Sequence, residues 1–262
     1  MNLFLIGDII GEPGREACAR LLPDLRRDLK LDFVMANVEN LAHGFGVTPK
    51  TLQELARCGV DVFSSGNHVW DNKEWPAAFQ SFPNLLRPAN YPEGAPGKGH
   101  HIFQAAGGGR VGVINLQGRS FMLPIDDPFR LSRQLAGALK GQGLKVLVVD
   151  FHAEATAEKV ALAAWLDGEV SVCAGTHTHI PTADARISPQ GTAAITDLGM
   201  TGPYDSVIGM KKEIIFQKFL LQTKIKYEVA GGDVQLWGLL VEVDEATGKA
   251  LRVEQVRRRL QA

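Results

Sequence analysis

Short apolar runs alternate with longer stretches of helical periodicity along most of this chain. Leu3-Phe4-Leu5-Ile6 is the first run, stopped by Gly7-Asp8, and GEPG at 11–14 makes a turn. Over 15–30 the apolar Ala19, Leu22, Leu25 and Leu29 recur at three- and four-residue spacing, which predicts a helix. Phe33-Val34-Met35-Ala36 is the next apolar run. The same reading predicts a helix over 49–58, a strand over 60–63, and a loop through the proline- and glycine-rich 83–109. Beyond it come strand 111–116, helix 131–139, strand 146–150, helix 158–166, and strands 170–174 and 193–197. A helix over 211–222 precedes two alternating strands, 234–243 and 249–256, joined by Glu245-Ala-Thr-Gly248 as an antiparallel hairpin. Strands that alternate with helices specify a layered α/β fold with a largely parallel sheet. No repeat, low-complexity segment or linker interrupts the pattern, so one domain over 1–262 is expected.

Composition narrows the class. The 262 residues are 45% hydrophobic and 22% charged, which excludes a disordered chain, a fibre and a disulfide scaffold. A chain of this length buries roughly 75% of its unfolded surface and needs no covalent staples. Lys+Arg of 28 against Asp+Glu of 29 leaves a net charge of −1, so no bulk attraction to DNA or anionic membrane is expected. The three cysteines, Cys18, Cys58 and Cys173, are far apart and read as buried free thiols of a reducing compartment. The N-terminus meets an acid at Asp8 without a basic lead, and no apolar run reaches membrane-spanning length. A soluble, cytoplasmic protein is the expectation.

Five strand ends terminate in metal-competent residues: Asp8, Glu39-Asn40, Asn67-His68, His152, and His177-Thr-His179. In an open α/β sheet, ligands bind beyond the carboxyl ends of the strands, so these residues converge however distant they are in sequence. Any one of them alone is an ordinary hydrogen-bonded strand end; five at one structural address are a site. Asp, Glu, Asn and His without Cys make a mixed oxygen and nitrogen set, suited to manganese, iron or zinc. Seven such residues exceed the needs of one ion and suit a pair sharing a carboxylate. His177 and His179, two apart, would face one side of an extended segment, each serving a different ion.

The strings GDIIGEPGR, NVENLAHG, SSGNHVWDNKE, DFHAEATAEK, GTHTHIPTAD and TDLGMTGPYDSVIG resemble the YmdB-like branch of the calcineurin-like metallophosphoesterases along nearly the whole chain. Ile10 stands where the wider superfamily has His, and NVEN where it has GDxxD; the branch has the same replacements. The resemblance implies a four-layer α-β-β-α metallophosphoesterase sandwich. It further implies two metal ions, iron or manganese with zinc or magnesium as alternatives. Asp8, Glu39, Asn40 and His179 would hold one ion; Glu39, Asn67, His152 and His177 would hold the other. The implied activity is phosphodiesterase or phosphatase hydrolysis of small phosphoesters, including 2′,3′-cyclic nucleotides. The two ions would supply a hydroxide to attack phosphorus, and His68 would give a proton to the leaving alkoxide.

Two rivals stay open on the sequence alone. One is a metallohydrolase of amide or peptide bonds; the other is a regulatory protein whose metal site binds nucleotide or RNA with little turnover. His43 and Arg119 are weighed as site residues, although surface positions suit both, and the loop 117–130 is expected to cover the site. Asp150 and Asp197 end strands and are candidates to orient ligand histidines. A homo-oligomer is left open, with the helical stretch 216–221 as a candidate face.

Overall fold

The computed structural model describes residues 1–261. The chain opens with β1 (Asn2–Ile6), a two-residue β2 (Asp8–Ile9) and helix α1 (Gly11–Asp28). Then come β3 (Phe33–Asn37), α2 (Pro49–Cys58), β4 (Val62–Ser64) and a short α3 (Trp75–Ser81). A second set follows: β5 (His100–Gln104), β6 (Arg110–Gln117), α4 (Pro128–Gly141), β7 (Val146–His152), α5 (Thr156–Trp165) and β8 (Val172–Thr176). The chain closes with β9 (Arg186–Ile187), β10 (Ala193–Ile195), β11 (Met200–Pro203), α6 (Lys212–Leu221) and the long pair β12 (Val234–Val243) and β13 (Ala250–Arg259).

Local chemistry sets the helix ends. Thr48 and Thr51 cap α2 reciprocally, Pro49 occupies its first turn, and Gly59 closes it at φ 102°. Asp127 accepts from the amides of Phe129 and Arg130 to start α4 behind Pro128. GEPG belongs to α1 rather than to a turn, because Pro13 sits in the first turn, where its missing N–H has no partner to lose.

Two sheets result. In the first, β1, β3 and β4 run parallel; β12 pairs antiparallel with β1 and then β11 along one edge and with β13 along the other, while β2 adds to β11. In the second, β6, β7, β8 and β10 are parallel, with β5 and β9 antiparallel at the edges. The alternation of side chains along each strand builds the layers. Phe4 and Ile6 pack with Leu22, Leu25, Leu52 and Leu55 of α1 and α2. Leu3 and Leu5, on the opposite face of β1, meet Val113, Val148 and Val172 of the second sheet. That sheet's other face, through Ile114, Leu147 and Val149, packs on Ala136 and Leu139 of α4 and Leu162 of α5. Helices, sheet, sheet and helices form the four-layer α-β-β-α sandwich.

The proline- and glycine-rich stretch hides β5, an edge strand on β6, and His100 and His101 on it are half-buried. The three cysteines are free and buried, and burial pushes the Cys58 thiol up to about 11 and Cys173 to about 12. No described helix is long and apolar enough to cross a membrane.

Candidate metal centre

Five parallel strands, β1, β3, β4, β7 and β8, deliver their carboxyl ends to one edge of the sandwich, and the metal-competent residues meet there. Asp8, Glu39, Asn40 and His152 are buried, and His177 is half-buried. His152 Nε2 lies 3.0 Å from His177 Nδ1, 3.1 Å from Asn67 Oδ1 and 3.0 Å from Glu39 Oε1. One ring nitrogen cannot hydrogen-bond to three such partners at once. A cation at the centre of the four atoms would be bonded by all of them.

Two buried carboxylate oxygens, Asp8 Oδ1 and Glu39 Oε1, have no hydrogen-bond partner among the described residues. Leaving a charged oxygen dry and unpartnered costs more than the about 1–3 kcal/mol of an unsatisfied neutral polar group. Both oxygens face histidine nitrogens: Asp8 Oδ1 is 3.8 Å from His179 Nε2, and Glu39 Oε1 faces His152 without hydrogen-bond alignment. Asn40 completes the Asp8 side, with its side-chain amide 3.4 Å from His179 Nε2. The residues therefore fit a divalent cation: hard oxygens and imidazoles, arranged in two adjoining groups around Glu39 and Asp8. Glu39, His152 and His177 alone bring three ligand atoms within 4.8 Å of one another.

Hydrogen bonds outside the cluster orient the rings. His179 Nδ1 donates to the Ile208 carbonyl, which can only accept, so in the neutral imidazole Nε2 is the lone-pair nitrogen, turned toward Asp8 and Asn40. His177 Nε2 faces the Glu154 carboxylate at 3.1 Å, which turns Nδ1 inward. His152 Nδ1 donates to Thr176 Oγ1 at 3.0 Å, and that hydroxyl donates to Asp150. Ser64 and Asn37 also donate to Asp150, whose carboxyl burial raises to about 6 against those bonds.

Charge is balanced inside the cluster. Burial alone would raise the Glu39 carboxyl, but His152 and His68 beside it bring it down to about 2. Burial alone would lower His152, but Glu39, Asp8 and Asp150 hold it up to about 9. Burial and the neighbouring His152 charge drop His177 to about 3, and burial raises Asp8.

His177 and His179 are not on an extended segment. They adopt φ of 99° and 66°, left-handed conformations that side-chain-bearing residues rarely take. Asp8 Oδ2 holds the His177 amide, and Asp197 holds both the amide and hydroxyl of Thr178 between the two histidines. Asp197 is itself paired at 2.6 Å with Lys159 of α5, both groups being buried. So strained a loop aims one imidazole at Glu39 and the other at Asp8. Gly66 leaves room for the site as well: a Cβ there would fall 2.0 Å from the His152 ring.

His68 stands beside the candidate ligands with its amide on Glu39 Oε2 and its Nδ1 2.7 Å from Asp71 Oδ2. Asp71 and Glu154 were not singled out from the sequence, although Asp71 lies only three residues beyond His68. His43 is exposed and lines a neighbouring cleft with Glu12 and Lys226. Arg119 is 3.8 Å from Asp127, and the loop 117–130 does not line the cleft above the metal cluster. That cleft, of about 600 Å³, is walled instead by 207–227, including α6. Nothing local in 207–227 reveals this, since the contact with Asn40, His68 and His177 is made only in three dimensions.

Known proteins resemble this chain along nearly its whole length. A sequence model described as YmdB-like protein matches residues 4–256. A 2′,3′-cyclic-nucleotide 2′-phosphodiesterase of Bacillus subtilis is 45% identical over 256 residues, 98% of this chain and 96% of that protein. The crystal structure of a novel phosphatase from Mycoplasma pneumoniae matches with a TM-score of 0.92 at 35% identity, covering 99% and 93% of the two chains. The crystal structure of a hypothetical protein from Thermus thermophilus has the same TM-score of 0.92 at 39% identity, over 99% of each chain.

Proposed function

The chain belongs to the YmdB-like family and is a phosphoric ester hydrolase of the metallophosphoesterase fold, and from that premise we propose a two-metal phosphodiesterase acting on 2′,3′-cyclic nucleotides. The observation that carries it is the convergence of Glu39, Asn67, His152 and His177 beside two buried carboxylate oxygens without partners. In this reading Glu39 would be shared between two ions. Asp8, Asn40 and His179 complete one set, and Asn67, His152 and His177 the other. Iron or manganese suits these donors, with zinc or magnesium as alternatives. When bound, such ions acidify water and neutralise charge building on the phosphoryl oxygens.

The chain's own residues do the rest. His68, oriented by Asp71 at 2.7 Å, hands a proton to the alkoxide that leaves phosphorus. The cyclic diester opens at one ester oxygen, and that oxygen takes the proton. Asp150 and Asp197, both buried, hold the imidazole and loop geometry from behind the site, and Glu154 holds the His177 ring from the cleft wall.

Purified protein with bis-p-nitrophenyl phosphate or 2′,3′-cyclic AMP tests the proposal. Turnover should vanish with chelator and return with manganese. His68→Ala should keep its metal and lose roughly 10²–10⁴ in turnover, the usual worth of a general acid. Glu39→Ala should lose the metal itself. Loss of metal from His68→Ala would make that residue a ligand and remove it as the acid; turnover indifferent to chelator would overturn the metal mechanism.

A further inference from the structure

The wall of the cleft carries features that hydrolysis of a bare phosphodiester does not require. On the metal side it is polar, with Glu39, Asn40, His177 and His179 at its base. The rest of its lining is largely aromatic and apolar: Phe45 and Tyr227 stack with centroids 6.0 Å apart at 30°, Phe45 also meets His68 edge-on at 4.9 Å, and Phe219 and Ile208 line the same space. Phe219 is 70% exposed, a large ring held open at the mouth. Lys218 and Gln222 of the same wall add a cation and an amide.

Ile208 is the informative residue. With Gly209 it forms the two-residue turn between Val207 and Met210, whose amides and carbonyls bond reciprocally, and the pair adopts φ of 46° and 100°. Positive φ at both turn residues is the type I′ geometry, which favours Asn, Asp or Gly at the first place and penalises a β-branched side chain. The turn needs only a carbonyl there to hold His179 Nδ1, and any residue supplies one. Its β-branched side chain therefore sits at a conformational cost on the lining of the cleft, 45% exposed.

We propose that Phe45, Tyr227, Phe219 and Ile208 form a nucleobase subsite, which makes this chain select nucleotide diesters over diesters lacking a base. The inference rests on the phosphodiesterase reading and extends it. Its occupant follows from the cleft itself: a polar, metal-competent floor for phosphate, continuous with aromatic faces for a base, in a volume within the usual roughly 300–1,000 Å³ of small-ligand sites. Aromatic faces hold bases by stacking without reading their edges, so the preference is for any base over none.

The test compares 2′,3′-cyclic AMP with the 2′,3′-cyclic phosphate of methyl riboside, which has the sugar and diester but no base. Binding of 3′-AMP and of the matching methyl riboside phosphate is measured in parallel by calorimetry. Wild-type protein should favour the base-bearing member of each pair by about 5- to 100-fold, the usual worth of aromatic stacking on a base. Tyr227→Ala and Ile208→Asn should shrink that preference toward one, through KM rather than kcat. Asn suits the left-handed turn, so Ile208→Asn should also melt no lower than wild type, which separates loss of the subsite from loss of the fold. Equal handling of the two diesters by wild type would overturn the subsite and leave the phosphodiesterase reading standing. If neither diester turns over, the phosphodiesterase reading falls, and equal binding of the two monoesters then overturns the subsite too.

Discussion

Single atoms decide how this site takes up a metal. His152 Nδ1 is already committed as a donor to Thr176, and its pKa of about 9 means that Nε2 also carries a proton near neutrality. A cation must displace that proton. Metal uptake should therefore release a proton, and affinity should climb about tenfold per pH unit from about 7 to 9 and level off above. The sign follows from the raised pKa: the competing proton is held below about 9 and gone above it. Calorimetry in buffers of different ionisation enthalpy reads the proton directly, and a flat profile would mean that His152 is not a ligand. Gly66→Ala is the steric counterpart. Its Cβ would lie 2.0–2.4 Å from three atoms of the His152 ring, so the ring must move. Metal content and turnover should fall at least about tenfold while circular dichroism stays native; wild-type metal content in this variant would refute the contact.

At the scale of elements, the loop after β8 is held in its left-handed turns from outside itself. Asp197, just beyond β10, bonds Thr178 and the Gly199 amide, and Lys159 from α5 neutralises it in the interior. Removing one partner of a buried pair leaves the other charge dry. Lys159→Met should cost about 3–5 kcal/mol in urea unfolding, and it should loosen His177 and His179 enough to weaken metal binding. A loss below about 1 kcal/mol would place the pair among those that contribute little. The strand ends bearing Asp8, Glu39, Asn67, His152 and His177 were legible in the sequence because apolar runs stop abruptly at polar, metal-competent residues. The strain at His177 and His179 was not, since nothing in GTHTH forbids an extended path; Asp8 and Asp197, distant in the chain, impose it. β5 was hidden for a related reason. Its half-buried edge position needs no strong apolar run.

For the molecule as a whole, the centre lies where both sheets end: β1, β3 and β4 belong to one and β7 and β8 to the other. A cation held there by the proposed ligands would tie segments from Asp8 to His179, and both sheets, together. Saturating metal at about a hundred times its Kd should add about 2.7 kcal/mol to stability, or roughly 5–10 °C in Tm for a chain of this size. Scanning calorimetry with manganese and with chelator checks this, and identical melting would mean that no ion joins the sheets.

The sequence alone determined the alternation of strands and helices, the polar strand ends and the family resemblance, because hydrophobic period and residue chemistry are local properties. The burial of Phe4 and Leu3 on opposite faces of β1 is likewise written in the two-residue period of a strand. Only the tertiary structure decided which cleft wall meets the candidate metal residues, and there the expected loop 117–130 gave way to 207–227. It alone decided that Ile208 and the two histidines sit in left-handed conformations, and that Lys159 spends its charge on Asp197. These outcomes depend on contacts between segments far apart in the chain, whose energies outweigh local backbone preference and leave no trace in neighbouring residues.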